Sequence, residues 1–305
     1  MLALAALLTA PALAAGLPLP LRLPPTVMRP LVVPVLTPSV PLNGSLTPFL
    51  DQLPLLRAPL DGKAPPAPLP AATFAPGVMG LIQYDGDAHF GDYDHNLRQL
   101  TALALQAVAN GSKLIVMPEG SSYGYASQDE LWCKPGMTVF RGKRCRDVSA
   151  VAERVPGGRS AEYWSAFARQ HGVYVLFSVL EADDENFHNT MGVAGPNGFE
   201  GKYRKRRLYY TDQAYATPGT DSFILDTPYG RFGLLICLDA TDSPYFKDYK
   251  DAGASAVIVA MDWDDDPAGQ HSAVKKFREW AAKDGVNFYA ADSAPLLWLA
   301  LGGAW

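Results

Sequence analysis

The sequence predicts an α/β protein. Short apolar runs alternate with stretches of helical periodicity from Val78 to Ala291. Gly, Pro, Asn or Asp punctuates most of the boundaries between them. The chain's 305 residues, 48% hydrophobic and 19% charged, are enough to bury a sizeable core. No internal repeat of the solenoid kind is present. A formal charge of −5, with no basic stripe interleaved with aromatics, argues against a nucleic-acid partner.

The elements follow in order. Val78–Tyr84 reads as a strand. Asp94 is the expected N-cap of a helix over His95–Ala109, with Leu97, Leu100, Ala104 and Val108 on one face and Gly111 past its end. Lys113–Met117 is a second strand, apolar enough to be covered on both faces. Ser160 is expected to cap a helix to about Gln170, followed beyond Gly172 by a strand over Val173–Glu181. A strand at Asn189–Ala194 ends at the turn Gly195-Pro-Asn-Gly198. Ser222–Asp226 and Phe232–Ile236 flank Thr227-Pro-Tyr-Gly230 as a hairpin. Then come a helix near Asp242–Asp251, a strand at Ala254–Ala260, a helix near Ser272–Asp284 and a strand at Val286–Ala291.

Three segments are expected along the chain. Residues 1–15, MLALAALLTAPALAA, resemble a secretory signal, apolar and ending in small residues, although no Lys or Arg precedes the apolar stretch. A membrane anchor would need about 20 unbroken apolar residues, and Pro11 interrupts the run. Residues 16–76 hold more than half of the chain's 26 prolines and read as an extended linker, because Pro fixes φ and removes backbone donors. Residues 77–305 are the folded domain. Export to the periplasm or the extracellular space would place Cys133 and Cys145, within the surface loop expected at Trp132–Arg146, as a candidate disulfide. That leaves Cys237 as the odd thiol.

Three buried-looking strands each end in a reactive or ionisable residue: LIVMPE at Glu119, GKYRK at Lys205 and LLIC at Cys237. Groups at the carboxyl ends of strands converge on one crevice in open α/β sheets. A carboxylate, an amine and a thiol are sufficient for acyl transfer: the carboxylate takes the thiol proton, the thiolate attacks a carbonyl, and the ammonium stabilises the oxyanion. Taken singly, each residue has an ordinary reading. A free cysteine is usually a small buried hydrophobe, Glu119 a loop carboxylate, and the run Lys202–Arg207 a solvated face, with Lys202, Arg206 and Arg207 at the surface. His89 and His95 lack a third ligand, so no metal is expected. The acidic run Asp262–Asp266 lacks the pattern of a calcium loop and reads as a solvated loop near the site's mouth, disfavouring anionic substrates.

Together these stretches resemble the nitrilase superfamily of carbon–nitrogen hydrolases, whose signature is a Glu–Lys–Cys triad in that order. The Pro-Glu-Gly of MPEG places the general base on Glu119, the YRKRRL stretch places the lysine on Lys205, and GLLICLD places the nucleophile on Cys237. Gln83, the Asn189-Thr190 pair and Thr217-Pro-Gly219 are smaller echoes. The resemblance implies an α-β-β-α sandwich, no cofactor and hydrolysis of a small amide through a thioester. Lys205 and the Leu238 backbone N–H would hold the oxyanion. FILDTPYGRFGLLICLD, with the export signal, is similar to the secreted pantetheinase and biotinidase branch.

Two departures stand out. Many such enzymes carry a second glutamate soon after the lysine; here Asp212 and Gln213 are the nearest substitutes. The ending, LLWLALGGAW, does not continue the family pattern, so a shortened carboxyl end is expected. These departures keep a non-catalytic scaffold of the same fold open; acyl transfer to an amine through the same triad is a further alternative. The resemblance also implies a homodimer.

Overall fold

The computed structural model describes residues 35–36, 78–184, 186–241, 243–263, 279, 283 and 287–293. The signal segment, most of the linker, the helix expected near Ser272–Asp284, most of the acidic run and the apolar tail lie outside the described residues.

A six-stranded sheet has the order β1-β2-β3-β7-β8-β9. It contains β1 (Val35–Leu36), β2 (Met79–Ile82), β3 (Leu114–Val116), β7 (Tyr174–Asp183), β8 (Asn186–Gly195) and β9 (Gly198–Arg204). From β1 to β7 the pairing is parallel; β7, β8 and β9 form an antiparallel meander. A four-stranded sheet comprises β10 (Ile224–Thr227), β11 (Gly230–Ile236), β12 (Ala256–Met261) and β13 (Asn287–Asp292), in that spatial order. The β10–β11 hairpin is antiparallel and the rest is parallel.

Strand alternation explains how the two sheets pack. Met79, Leu81, Leu114, Val116, Tyr174 and Leu176 face the second sheet and share one core with Leu234, Ile236, Ile258 and Ala260. The alternate residues Ile82, Ile115, Val175, Phe177 and Val179 face outward under helices α1 (Tyr93–Ala109) and α2 (Arg159–His171), against Leu100, Ala104, Trp164 and Phe167. Helix α3 (Ser243–Asp251) covers the outside of the second sheet, where Phe246 and Tyr249 are buried and Tyr249 donates to the Leu234 carbonyl at 2.6 Å. Each such fully buried aliphatic or aromatic side chain stabilises the fold by about 1.5–3 kcal/mol. The layers run helix, sheet, sheet, helix. Among the described residues, no helix is long and apolar enough to cross a membrane.

Both expected helix caps are corrected. Helix α1 is capped by Asp92, whose carboxylate accepts from the His95 N–H at 3.0 Å, and Asp94 lies in its first turn. Helix α2 begins after Gly158. Ser160 sits inside the first turn, where the Glu153 carboxylate accepts from its N–H at 2.8 Å and supplies the cap from outside the helix.

The expected loop at Trp132–Arg146 is instead part of a small sheet of β4 (Glu130–Cys133), β5 (Val139–Phe140) and β6 (Lys143–Asp147). A disulfide joins Cys133 to Cys145 across it. This sheet packs through Leu131 and Cys133 onto Ala214.

Candidate active site

Strand β3 ends at Val116, and after Pro118 the chain turns sharply through Gly120 (φ +68°), whose N–H donates to Ser178 Oγ at 2.8 Å. A side chain at 120 would collide with the backbone of Tyr125. The turn buries Glu119 above the edge of the sheet. Lys205 follows β9, on the same face as Tyr203, and its N–H donates to the Asn189 carbonyl at 2.9 Å. Its ammonium reaches Glu119 Oε1 at 2.7 Å and Asp212 Oδ2 at 2.6 Å, with Tyr125 Oη at 3.4 Å. Asp212 opens a short 3-10 turn, Asp212–Ala214, and accepts also from the Tyr209 N–H and the Tyr215 hydroxyl.

Cys237 directly follows β11 and starts a 3-10 turn, Cys237–Thr241, with a left-handed φ of +43°. A non-glycine residue rarely adopts that conformation, which lifts the thiol out of the strand direction at the sheet's edge. The thiol donates to the Asp262 carbonyl at 3.7 Å, while the Asp262 N–H donates to Glu119 Oε2 at 3.2 Å. Asp239, fully buried, ties this corner to the lysine segment. Its carboxylate accepts from the N–H groups of Ile236 (3.1 Å), Arg206 (3.2 Å) and Arg207 (2.7 Å) and from the Tyr203 hydroxyl (2.8 Å).

Burial pushes Glu119 above the usual carboxylate range despite the Lys205 ammonium beside it, and neighbouring Asp212 adds to the rise. Burial works against the charge on Lys205, but Asp212 and Glu119 outweigh it and hold the ammonium well above its ordinary value. Burial also raises the Cys237 thiol; the Glu119 charge raises it further and Lys205 opposes both. The site thus places a carboxyl, a thiol and an ammonium side by side in a buried setting that shifts all three.

Glu119, Lys205, Asp212 and Cys237 therefore meet in one buried cluster. Leu238 follows Cys237 in the 3-10 turn, and its carbonyl accepts from Thr241 Oγ1 at 2.8 Å. Gln213 lies outside the cluster. The 3-10 turn directs it to solvent, where its Oε1 accepts from Arg141 at 3.3 Å. Lys202, Arg206 and Arg207, expected at the surface, are all partly buried. Lys202 and Arg204 clasp the buried Glu181, and Arg206 stacks over Tyr245 at 3.6 Å. Three neighbours of the cluster carried no assigned role in the sequence: Asn189, Tyr125 and Asp87. Only Asn189 gave a signal, through its place before the Pro-Asn-Gly turn.

A family model for carbon-nitrogen hydrolases matches residues 79–279. A nitrilase of Pyrococcus abyssi is 29% identical over 147 residues, covering 48% of this chain and 50% of the relative. An omega-amidase of Xenopus laevis is 27% identical over 176 residues, covering 53% and 56%. The chain thus spans about half the length of these relatives. Among solved structures, Saccharomyces cerevisiae Nit3, a member of branch 10 of the nitrilase superfamily, superposes with a TM-score of 0.57 at 20% identity, covering 72% of this chain and 76% of that one. An amidase from Nesterenkonia sp. gives 0.56 at 21% identity, covering 71% and 75%. The fold of these structures is the layered sandwich described above, and the matched span takes in Glu119, Lys205 and Cys237: the chain belongs to the carbon–nitrogen hydrolase family, within the nitrilase superfamily.

Proposed function

We propose that the protein hydrolyses the C–N bond of a small amide through a Glu119–Lys205–Cys237 triad and a thioester. The observation that carries this reading is the 2.7 Å contact between Glu119 and Lys205, 86 residues apart, at the carboxyl ends of strands and within electrostatic reach of a thiol held at a strained corner. Glu119 takes the Cys237 proton as sulfur bonds to the amide carbon. Lys205 and the Leu238 N–H stabilise the oxygen that becomes negative. The proton then passes from Glu119 to the leaving nitrogen as the C–N bond breaks. Water gives a proton to Glu119, attacks the thioester and releases the acid; that proton returns to sulfur.

The Asp212 contact with Lys205 supports its reading as the substitute for a second glutamate, against a non-catalytic scaffold. Export belongs to the same proposal: the leader at residues 1–15 and a disulfide both suit an oxidising compartment.

Ammonia release from a panel of small amides tests the reading, beside Cys237→Ala. Release lost in that variant is the expected result. No release from folded wild-type protein across the panel would overturn it.

A further inference from the structure

Asn189 sits on β8 opposite Leu180, is buried, and touches three parts of the cluster. Its amide Nδ2 donates to Glu119 Oε1 at 2.7 Å and to Asp212 Oδ1 at 3.0 Å, while its backbone carbonyl accepts from the Lys205 N–H. The orientation of the amide is fixed by chemistry. Flipped, it would set its carbonyl oxygen against two carboxylates that can only accept. Its own Oδ1 accepts no hydrogen bond among the described residues, so the side chain is placed for its donors alone.

The same two carboxylates flank the Lys205 ammonium. One cation is thus shared between two buried anions, and the second bridge between them is neutral: the two hydrogens of Asn189. Without that bridge, the simplest repair is for one carboxyl to take a proton and donate it to the other, as closely placed carboxylates do. A protonated Glu119 cannot accept the proton of Cys237.

We propose that Asn189 is a positioning residue of this site, whose two donated hydrogens keep Glu119 an aligned proton acceptor next to Asp212. The proposal rests on the triad reading above. The groups that face Glu119 are Lys205 beyond β9, Asp212 in its 3-10 turn, Cys237 and Asp262 beyond β11 and β12, Asp87 before α1, and Tyr123 and Tyr125 after the turn. Among the described residues, Lys205 and Asn189 are the side chains that donate to Glu119.

The test is the rate at which iodoacetamide alkylates Cys237 in the full chain between pH 5 and 9, read by intact mass. The other two cysteines are held in the disulfide. Asn189→Leu is expected to move the rising limb of the profile upward by about one pH unit, a tenfold loss of rate on the acid side. Asn189→Ala, which removes the donors without adding a titratable group, moves it the same way and decides the matter if the Leu variant does not fold. In a Glu119→Gln background, Asn189→Leu should move nothing. Profiles that superimpose on wild type, even at a uniformly lower rate, overturn the proposal, as does a shift that persists without Glu119. A wild-type profile unaltered by Glu119→Gln alone would overturn the triad reading instead.

Discussion

Lys205 Nζ lies 2.6 Å from Asp212 Oδ2, and neither side chain is exposed. Removing one partner of a buried pair leaves an uncompensated charge and costs about 3–5 kcal/mol. Asp212→Ala still leaves Lys205 paired with Glu119, so it is expected to lower the unfolding free energy by less than that in urea titration. Asp212→Asn, which keeps an acceptor near the ammonium, should cost less. Equal losses in the two variants would mean that the charge alone, and neither the packing nor the neutral acceptor, holds the lysine.

Cys237 carries its thiol on a left-handed residue with φ +43°. That conformation costs an L-residue roughly 1–2 kcal/mol, and glycine adopts it freely. Cys237→Gly should accordingly be more stable than Cys237→Ala by about 1 kcal/mol, although both lack the thiol. Thermal unfolding of the two variants checks this, and an advantage for Ala would show that the corner is unstrained.

The disulfide closes a loop with a sequence separation of 12. A crosslink of that length constrains the unfolded chain by about 3 kcal/mol. Cys133→Ser with Cys145→Ser should lose close to this in urea. Since Cys133 packs on Ala214, two residues past Asp212, the proposed amide hydrolysis should also be slower in this variant. Unchanged turnover with reduced stability would confine the bridge to a scaffold role.

Burial pushes the Asp87 carboxyl up to about 7 from 3.8, although the N–H groups of Ala126 and Tyr125 favour its charged form. Between these values the folded protein holds a proton that the unfolded chain has released. The contribution to stability is complete below about pH 4 and fades as pH rises through about 7. Asp87→Asn should flatten this fall in melting temperature across the window. An unaltered slope would assign it to other groups.

Most of the strands and the helices between them were legible because the apolar runs at Leu114–Val116, Tyr174–Leu180 and Phe232–Ile236 leave few other readings. The small sheet was not: β6, Lys-Arg-Cys-Arg-Asp, has no buried residue, so no period marks it. The caps slipped because Asp92 and Asp94 compete on equal terms, and because a distant Glu153 does the work assigned to Ser160. Glu119, Lys205 and Cys237 stood out as chemistry at the ends of apolar runs. Asn189 was marked only by its place before a turn, and its role as a donor becomes readable once its partners, 70 and 23 residues away, are in place.

Asp239 spans a divide between two halves of the molecule. Glu119 and Lys205 belong to the six-stranded sheet and Cys237 to the four-stranded one, so sulfur and carboxylate are gauged against each other by the thickness of the interior. Asp239 is the clasp at the rim of that gap, holding Ile236 of one half to Tyr203, Arg206 and Arg207 of the other. That clasp helps to set the spacing of Glu119, Lys205 and Cys237. Substitutions deep between the sheets, at Leu234 or Val116 for example, are the ones that would detune it from a distance.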